Sequence, residues 1–317
     1  MNKKVTVTGV NVLFFIFAVV LLFSQIALVF INELLDLKLF DKNIYVMLLI
    51  NQFILILIPV LLYTFIFRLD FKEVFRFNRL KLLPGLLIVL LAVPAYFVAA
   101  MLNSFVLYLL QFIGQIPDSP IPVPGNIPEL VVGILIIGVS PAICEELLHR
   151  GLLLKAYEKR GSIKAVVITS IFFGVFHMDI TNLLGPIFLG LLIGYYVIRT
   201  NSIFAGMLAH FLNNTIAECL SYLTRNWEDT SQTTISLSDL GTITMLGVAG
   251  LIIVLILIRW FTFLSENIGE IRPPISSVRK DITAILSHWP NIATLALYVV
   301  ITLLTVLVMV IGKFSGG

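Results

Sequence analysis

The chain has little charge and almost no cysteine, and each shortage narrows what it can be. Asp, Glu, Lys and Arg make up 12% of its 317 residues, about half the share of an ordinary soluble domain. A large soluble enzyme is thereby disfavoured. Its two cysteines, Cys144 and Cys219, both fall in apolar segments. They are poorly placed for a disulfide framework and read as small buried side chains. The chain has no basic stripe and no interleaved aromatic motif, so nucleic acid is not an expected partner. The zinc-protease signature H-E-x-x-H is also missing.

What fills the chain instead is apolar residues, 59% of the total, gathered in long runs. A hydrocarbon layer of about 30 Å takes about 20 helical residues to cross. On that measure the sequence predicts an all-α polytopic membrane protein, a bundle of about eight to nine transmembrane helices. Nine spans are expected at 9–31, 45–67, 82–110, 128–158, 163–178, 181–199, 202–223, 240–263 and 291–312. The first is too long for a signal-peptide core and lacks a cleavage site, so it reads as retained. The fourth is overlong, and its far end, 152–160, reads as an amphipathic extension beyond the bilayer. The stretch 111–127, with Pro117, Pro120, Pro122 and Pro124, reads as an extended surface connector, and 224–239, with Asn226, Glu228 and Asp229, as a polar loop.

Basic residues set the expected orientation. With the N-terminus inside, 17 of the 21 Lys and Arg lie on the inner side, among them Lys3, Lys4, Arg76 and Arg150. Lys38, Lys42, Arg225 and Lys313 lie outside. A multi-pass protein of a bacterial plasma membrane, N-terminus in the cytoplasm, is the expectation. Three regions follow: 1–127 with three spans, a core at 128–223, and 224–317 with two spans.

Within that apolar background, Glu145, Glu146, His149 and Arg150 crowd six residues of one span. Each costs a few kcal/mol or more to bury in lipid. His177 and His210 add one histidine each to later spans. Helix rise places Glu145 and His177 each 13 residues from the inner end of their helices, and His210 and Asn214 8 and 12 residues in. The depths, about 20, 20, 12 and 18 Å, overlap. Glu146 and Arg150 are i,i+4 neighbours and can neutralise one another. Glu145 points about 100° away. His149 is the i+4 neighbour of Glu145, and Glu218 lies one turn past Asn214. Pro141 frees the carbonyl of Ile137 and predicts a kink just before the carboxylates.

Each group has a plain structural reading. A lone histidine or Asn214 glues helices together. Glu146–Arg150 is a packing pair. Glu218 approaches the outer interface, Asp179 is loop polarity or a cap, and Gly190 with Gly194 forms a close-packing face. Together at one depth, however, glutamate, two histidines and asparagine exceed what packing asks for. A carboxylate beside a histidine can deprotonate water, and a histidine with an asparagine can stabilise an oxyanion. Amide hydrolysis fits that set. A metal ion on Glu145, His177 and His210 is the chemical alternative.

The same residues carry a family resemblance. Glu145 to Arg150 has the form E-E-x-x-x-R, Phe173 to His177 the form F-x-x-x-H, and His210 to Asn214 the form H-x-x-x-N. In that order on separate helices, they resemble the CPBP family of CAAX-protease-like and bacteriocin-processing or immunity proteins. The resemblance spans 128–223. It implies an intramembrane peptidase in which Glu145 activates water with His177, His210 and Asn214 form the oxyanion site, and Glu146 and Arg150 support the pocket. The family resemblance leaves a metal open, and metal-independent glutamate catalysis with no cofactor is the expectation; as partners it implies membrane lipid and a membrane-associated peptide or protein, prenylated in the eukaryotic members. One departure stands out: His149 replaces the aromatic residue usual before the arginine and adds an ionisable group to the pocket. A catalytically silent scaffold or immunity protein of the same fold is the competing reading, followed by a proton-coupled transporter. The latter predicts repeat symmetry that the sequence does not show.

Overall fold

The computed structural model describes residues 5–35, 39–117, 121–226, 234–266 and 268–315. Lys3, Lys4, Lys38, Pro120, Glu228 and Asp229 lie outside them. Among the described residues there are helices and no strand. We number them α1 (Val7–Leu35), α2 (39–66), α3 (Phe71–Val74), α4 (Leu82–Leu110), α5 (Ile127–Arg160), α6 (Ser162–Phe176), α7 (Leu184–Thr200), α8 (Ile203–Thr224), α9 (Leu237–Leu264), α10 (Val278–Leu286) and α11 (Trp289–Ser315).

Nine of these coincide with the nine expected spans. Six stretches are long and apolar enough to cross a membrane: Val7–Ser24, Ile44–Ile66, Leu82–Leu110, Ile127–Arg160, Leu237–Leu264 and Trp289–Phe314. Helices α6 and α7 are shorter apolar helices, and α8 carries the polar residues of the third motif. Large apolar side chains such as Phe23, Leu90 and Leu303 are exposed on the outer faces, as expected where lipid is the solvent.

Close glycine contacts set the packing. A Cβ on Gly250 of α9 would lie 2.6 Å from the Pro94 carbonyl oxygen of α4. On α7, Gly190 faces the Ser170 backbone and Gly194 faces Val166 of α6, the packing role expected of that pair. The core runs along α5, where Cys144, Leu148, Leu152, Leu153, Leu154 and Tyr157 are buried against α1, α2 and α6. This corrects two expectations. The far end of α5 is not an amphipathic extension, because residues 152–158 are buried apart from Lys155. Arg150 is not an inner-loop cation, because it is buried mid-helix against Glu146.

The loops assigned to the inner side meet at one end of the bundle. Arg76 pairs with Glu158, the Ile203 amide donates to the Arg76 carbonyl, and the Ser162 amide donates to that of Arg272. The loop after α9 carries α10, which the span count missed. Its Asp281 accepts from Arg160 at 2.7 Å, Lys164 at 2.6 Å and Ser276 at 2.5 Å. Burial alone would raise the Asp281 carboxyl; Lys164, Ser276 and Arg160 outweigh that and hold it at about 2.

Candidate active site

The site is built around two departures from regular α-helix in α5. Ile134–Val139 and Leu147–Leu153 are wound as π-helix, flanking the regular turn Ser140–Glu146. Such wide turns recur at functional sites because they re-aim side chains. Pro141 lies in the first turn of the regular segment and has no amide to give the Ile137 carbonyl. The freed carbonyl accepts instead from Asn214 Nδ2 on α8, at 2.9 Å. Helix α8 comes this close because Gly133 and Gly138 line that face of α5. A Cβ on Gly138 would meet Thr215 Oγ1 at 3.1 Å.

Glu146 points into the bundle, away from Glu145. Its Oε1 accepts from Arg150 Nη1 at 2.8 Å and from His210 Nδ1 at 3.0 Å. Gly206 on α8 makes room for it, since a Cβ there would lie 2.7 Å from Glu146 Oε2. Arg150 also donates to the Gly190 carbonyl at 3.3 Å and stacks on the Phe173 ring, 4.4 Å from its centroid. One buried cluster thus joins α5, α6, α7 and α8 and fixes the imidazole of His210. With Nδ1 committed to Glu146, Nε2 is the nitrogen left for the cavity.

Glu145 is 7% exposed, and its Oε1 accepts from Gln52 Nε2 of α2 at 2.8 Å. Its Oε2 has no hydrogen-bond partner. His177 caps the C-terminus of α6. Its Nδ1 lies 2.8 Å from the Phe173 carbonyl; a carbonyl only accepts, so Nδ1 carries the proton and Nε2 offers a lone pair. Phe173 therefore serves both sides of its motif, with its ring on Arg150 and its carbonyl on His177.

A cavity of about 470 Å³ joins these groups. Glu145, His177, His210 and Asn214 all line it, as the overlapping depths predict. Gln52, Asn103, Asn182, Asn213 and Glu218 add polar surface. A second cavity of about 340 Å³, lined by Asn51 and Asp179 among others, shares Gln52, Glu145 and His177 with the first. These three side chains form the partition between the two.

Two expectations change. His149 does not enter the pocket: its Nδ1 holds the Glu145 backbone carbonyl at 2.9 Å, and its ring packs edge-on to Phe14, Phe173 and Phe176. Glu218 does not approach an outer surface; it is 5% exposed and lines the first cavity. Asp179 is loop polarity as expected, its carboxylate accepting from the Thr181 amide and hydroxyl. Sequence reasoning missed Gln52, whose only signal is a glutamine in an apolar run.

Residues 127–216 match the family model of the type II CAAX prenyl endopeptidase Rce1-like proteins. The chain carries an Rce1-like domain. The match covers residues 127–216 of the 317, and the matched stretch holds all three motifs. No curated protein and no solved structure matches the chain. In the Rce1-like domain, α5 supplies Glu145, Glu146 and Arg150, α6 ends on His177, and α8 supplies His210 and Asn214.

Proposed function

We propose that the protein is an intramembrane endopeptidase that hydrolyses a peptide bond of a membrane-associated peptide or protein with a water activated by Glu145. The observation that carries this is the shared cavity: Glu145, His177, His210 and Asn214 line one space from three helices. In this reading Gln52 fixes Oε1 of Glu145, and Oε2 takes a proton from a water that also donates to His177 Nε2. The oxygen attacks the carbonyl carbon. The resulting oxyanion is met by the second N–H of Asn214 and by His210 Nε2, which donates as an imidazolium balanced by Glu146. The C–N bond breaks as the proton passes from Glu145 to the leaving amine. Binding of the charged intermediate by preset donors is the dominant source of acceleration in such sites.

Residues 128–223 form the reactive core of this reading, and lipid surrounds the bundle. The basic residues favour a multi-pass protein with its N-terminus in the cytoplasm. No metal takes part.

The test is cleavage of hydrophobic peptides by purified protein in proteoliposomes. Glu145→Gln is expected to lower the rate by at least 1,000-fold (~4 kcal/mol of barrier) while leaving the fold intact. Unchanged cleavage by Glu145→Gln overturns the reading.

A further inference from the structure

Glu218 is the one carboxylate of the first cavity that the proposed chemistry leaves unused. It lies on α8 one turn past Asn214 and two turns past His210. It is 5% exposed, and its Oε2 is buried without a hydrogen-bond partner. It also sits where α5 makes room for it: a Cβ on Gly133 would lie 2.6 Å from that same oxygen. A buried carboxylate with no partner is costly, by several kcal/mol after relaxation. No lysine or arginine in the wall answers it, and the lining includes a second carboxylate, Glu145. Asp179 of the adjoining cavity adds to the same sign. Around Glu218 the walls are apolar, with Leu48, Ile136 and Ile137 among the lining residues, and the two histidines lie towards the reactive end.

We propose that Glu218 is a specificity subsite that binds a basic side chain of the substrate, a lysine or arginine near the cleaved bond. The apolar wall takes the methylene stem and the carboxylate takes the cation, so the charge missing from the cavity arrives with the peptide. Helix rise puts Glu218 about 12 Å along α8 from His210 and about 6 Å from Asn214. An extended peptide covers about 3.3 Å per residue, which places the basic residue about two to four positions from the scissile bond. The inference rests on the proposed peptidase reading for the direction of the peptide, and on Glu218 alone for its charge.

The experiment measures binding and cleavage separately. Short hydrophobic peptides with one lysine stepped along the chain, and a norleucine twin of each, are titrated against purified Glu145→Gln protein in detergent. One lysine position is expected to bind at least tenfold more tightly than its twin. Adding Glu218→Gln removes the difference, and Glu218→Asp, which keeps the charge, retains part of it. Circular dichroism confirms that each variant is folded. Equal binding of lysine and norleucine peptides at every position, or a preference that survives Glu218→Gln, overturns the inference. The same peptides are then given to protein with Glu145 intact. Absence of cleavage there strikes the peptidase reading and leaves the binding result standing. Cleavage with no Glu218-dependent preference strikes the subsite alone.

Discussion

Gln52 Nε2 donates to Glu145 Oε1 at 2.8 Å, across 93 positions of sequence. This bond ties the carboxylate to α2, a helix outside the matched domain. With Oε1 held, only Oε2 is free to meet a water. Gln52→Leu is expected to leave the protein folded and to lower kcat by about tenfold or more. That is the scale of losing one hydrogen bond to a charged group, ~1.5–3 kcal/mol. An unchanged kcat in a peptide cleavage assay would show that Glu145 needs no outside support.

Asn214 performs two tasks that mutation can separate. Asn214→Ala leaves the Ile137 carbonyl without a donor, a loss of about 1–3 kcal/mol. Pro141→Ala restores an amide in the helix turn that faces this carbonyl. Asn214→Ala/Pro141→Ala is therefore expected to recover much of the thermal stability lost by Asn214→Ala, measured by melting in detergent. Activity is expected to stay low in both, because the oxyanion donor is absent in both.

The Glu146–Arg150 pair should show strong coupling. Arg150→Met strands a buried carboxylate and is expected to destabilise by about 3–5 kcal/mol. Arg150→Met/Glu146→Gln removes both charges and should regain most of that. Cleavage should remain lost in the double variant, since His210 then lacks the partner that balances its imidazolium. Recovery of activity along with stability would assign the pair to packing alone.

The α10 anchor predicts a pH dependence. Asp281 is held below its ordinary carboxylate value of 3.8, at about 2. A depressed acid stabilises the fold above its unfolded value, and that contribution disappears as pH falls through the folded value. Docking of α10 should therefore be complete above pH ~4 and lost towards pH ~2. Asp281→Asn should abolish this step, read by proteolysis of the segment around α10 or by a probe on Ile282.

Dialysis against a chelator is expected to leave cleavage unchanged. Loss of activity restored by one added divalent metal would recast Glu145 and His177 as ligands.

The helices were legible because each is an apolar run of bilayer length, and the reactive groups because charge in such a run is rare. Glu146 and Arg150 were assigned to each other by i,i+4 spacing, and the structure makes that bond. The Ile137 carbonyl was expected to be freed by Pro141, but its recipient on α8 was not foreseen. His149 shows the limit of the method: the spacing that pairs it with Glu145 also lets it bond the backbone, and the phenylalanines from α1 and α6 decide which. Gln52 escaped, and Glu218 was assigned to the wrong surroundings, for a similar reason. A single polar residue on an apolar helix gives no sign of which cavity it enters until the neighbouring helices are in place. The short helix α10 escaped because it lies outside the spans on which the reading was built.

The walls of the first cavity come from two sources. The matched segment 127–216 supplies the motif residues, whereas Leu48, Gln52, Tyr96 and Asn103 precede it and Ala217 and Glu218 follow it. The motif side chains and much of the wall that a bound peptide would touch therefore come from different parts of the chain. If the proposed reaction holds, what the cavity admits is set as much by α2, α4 and the end of α8 as by the matched segment.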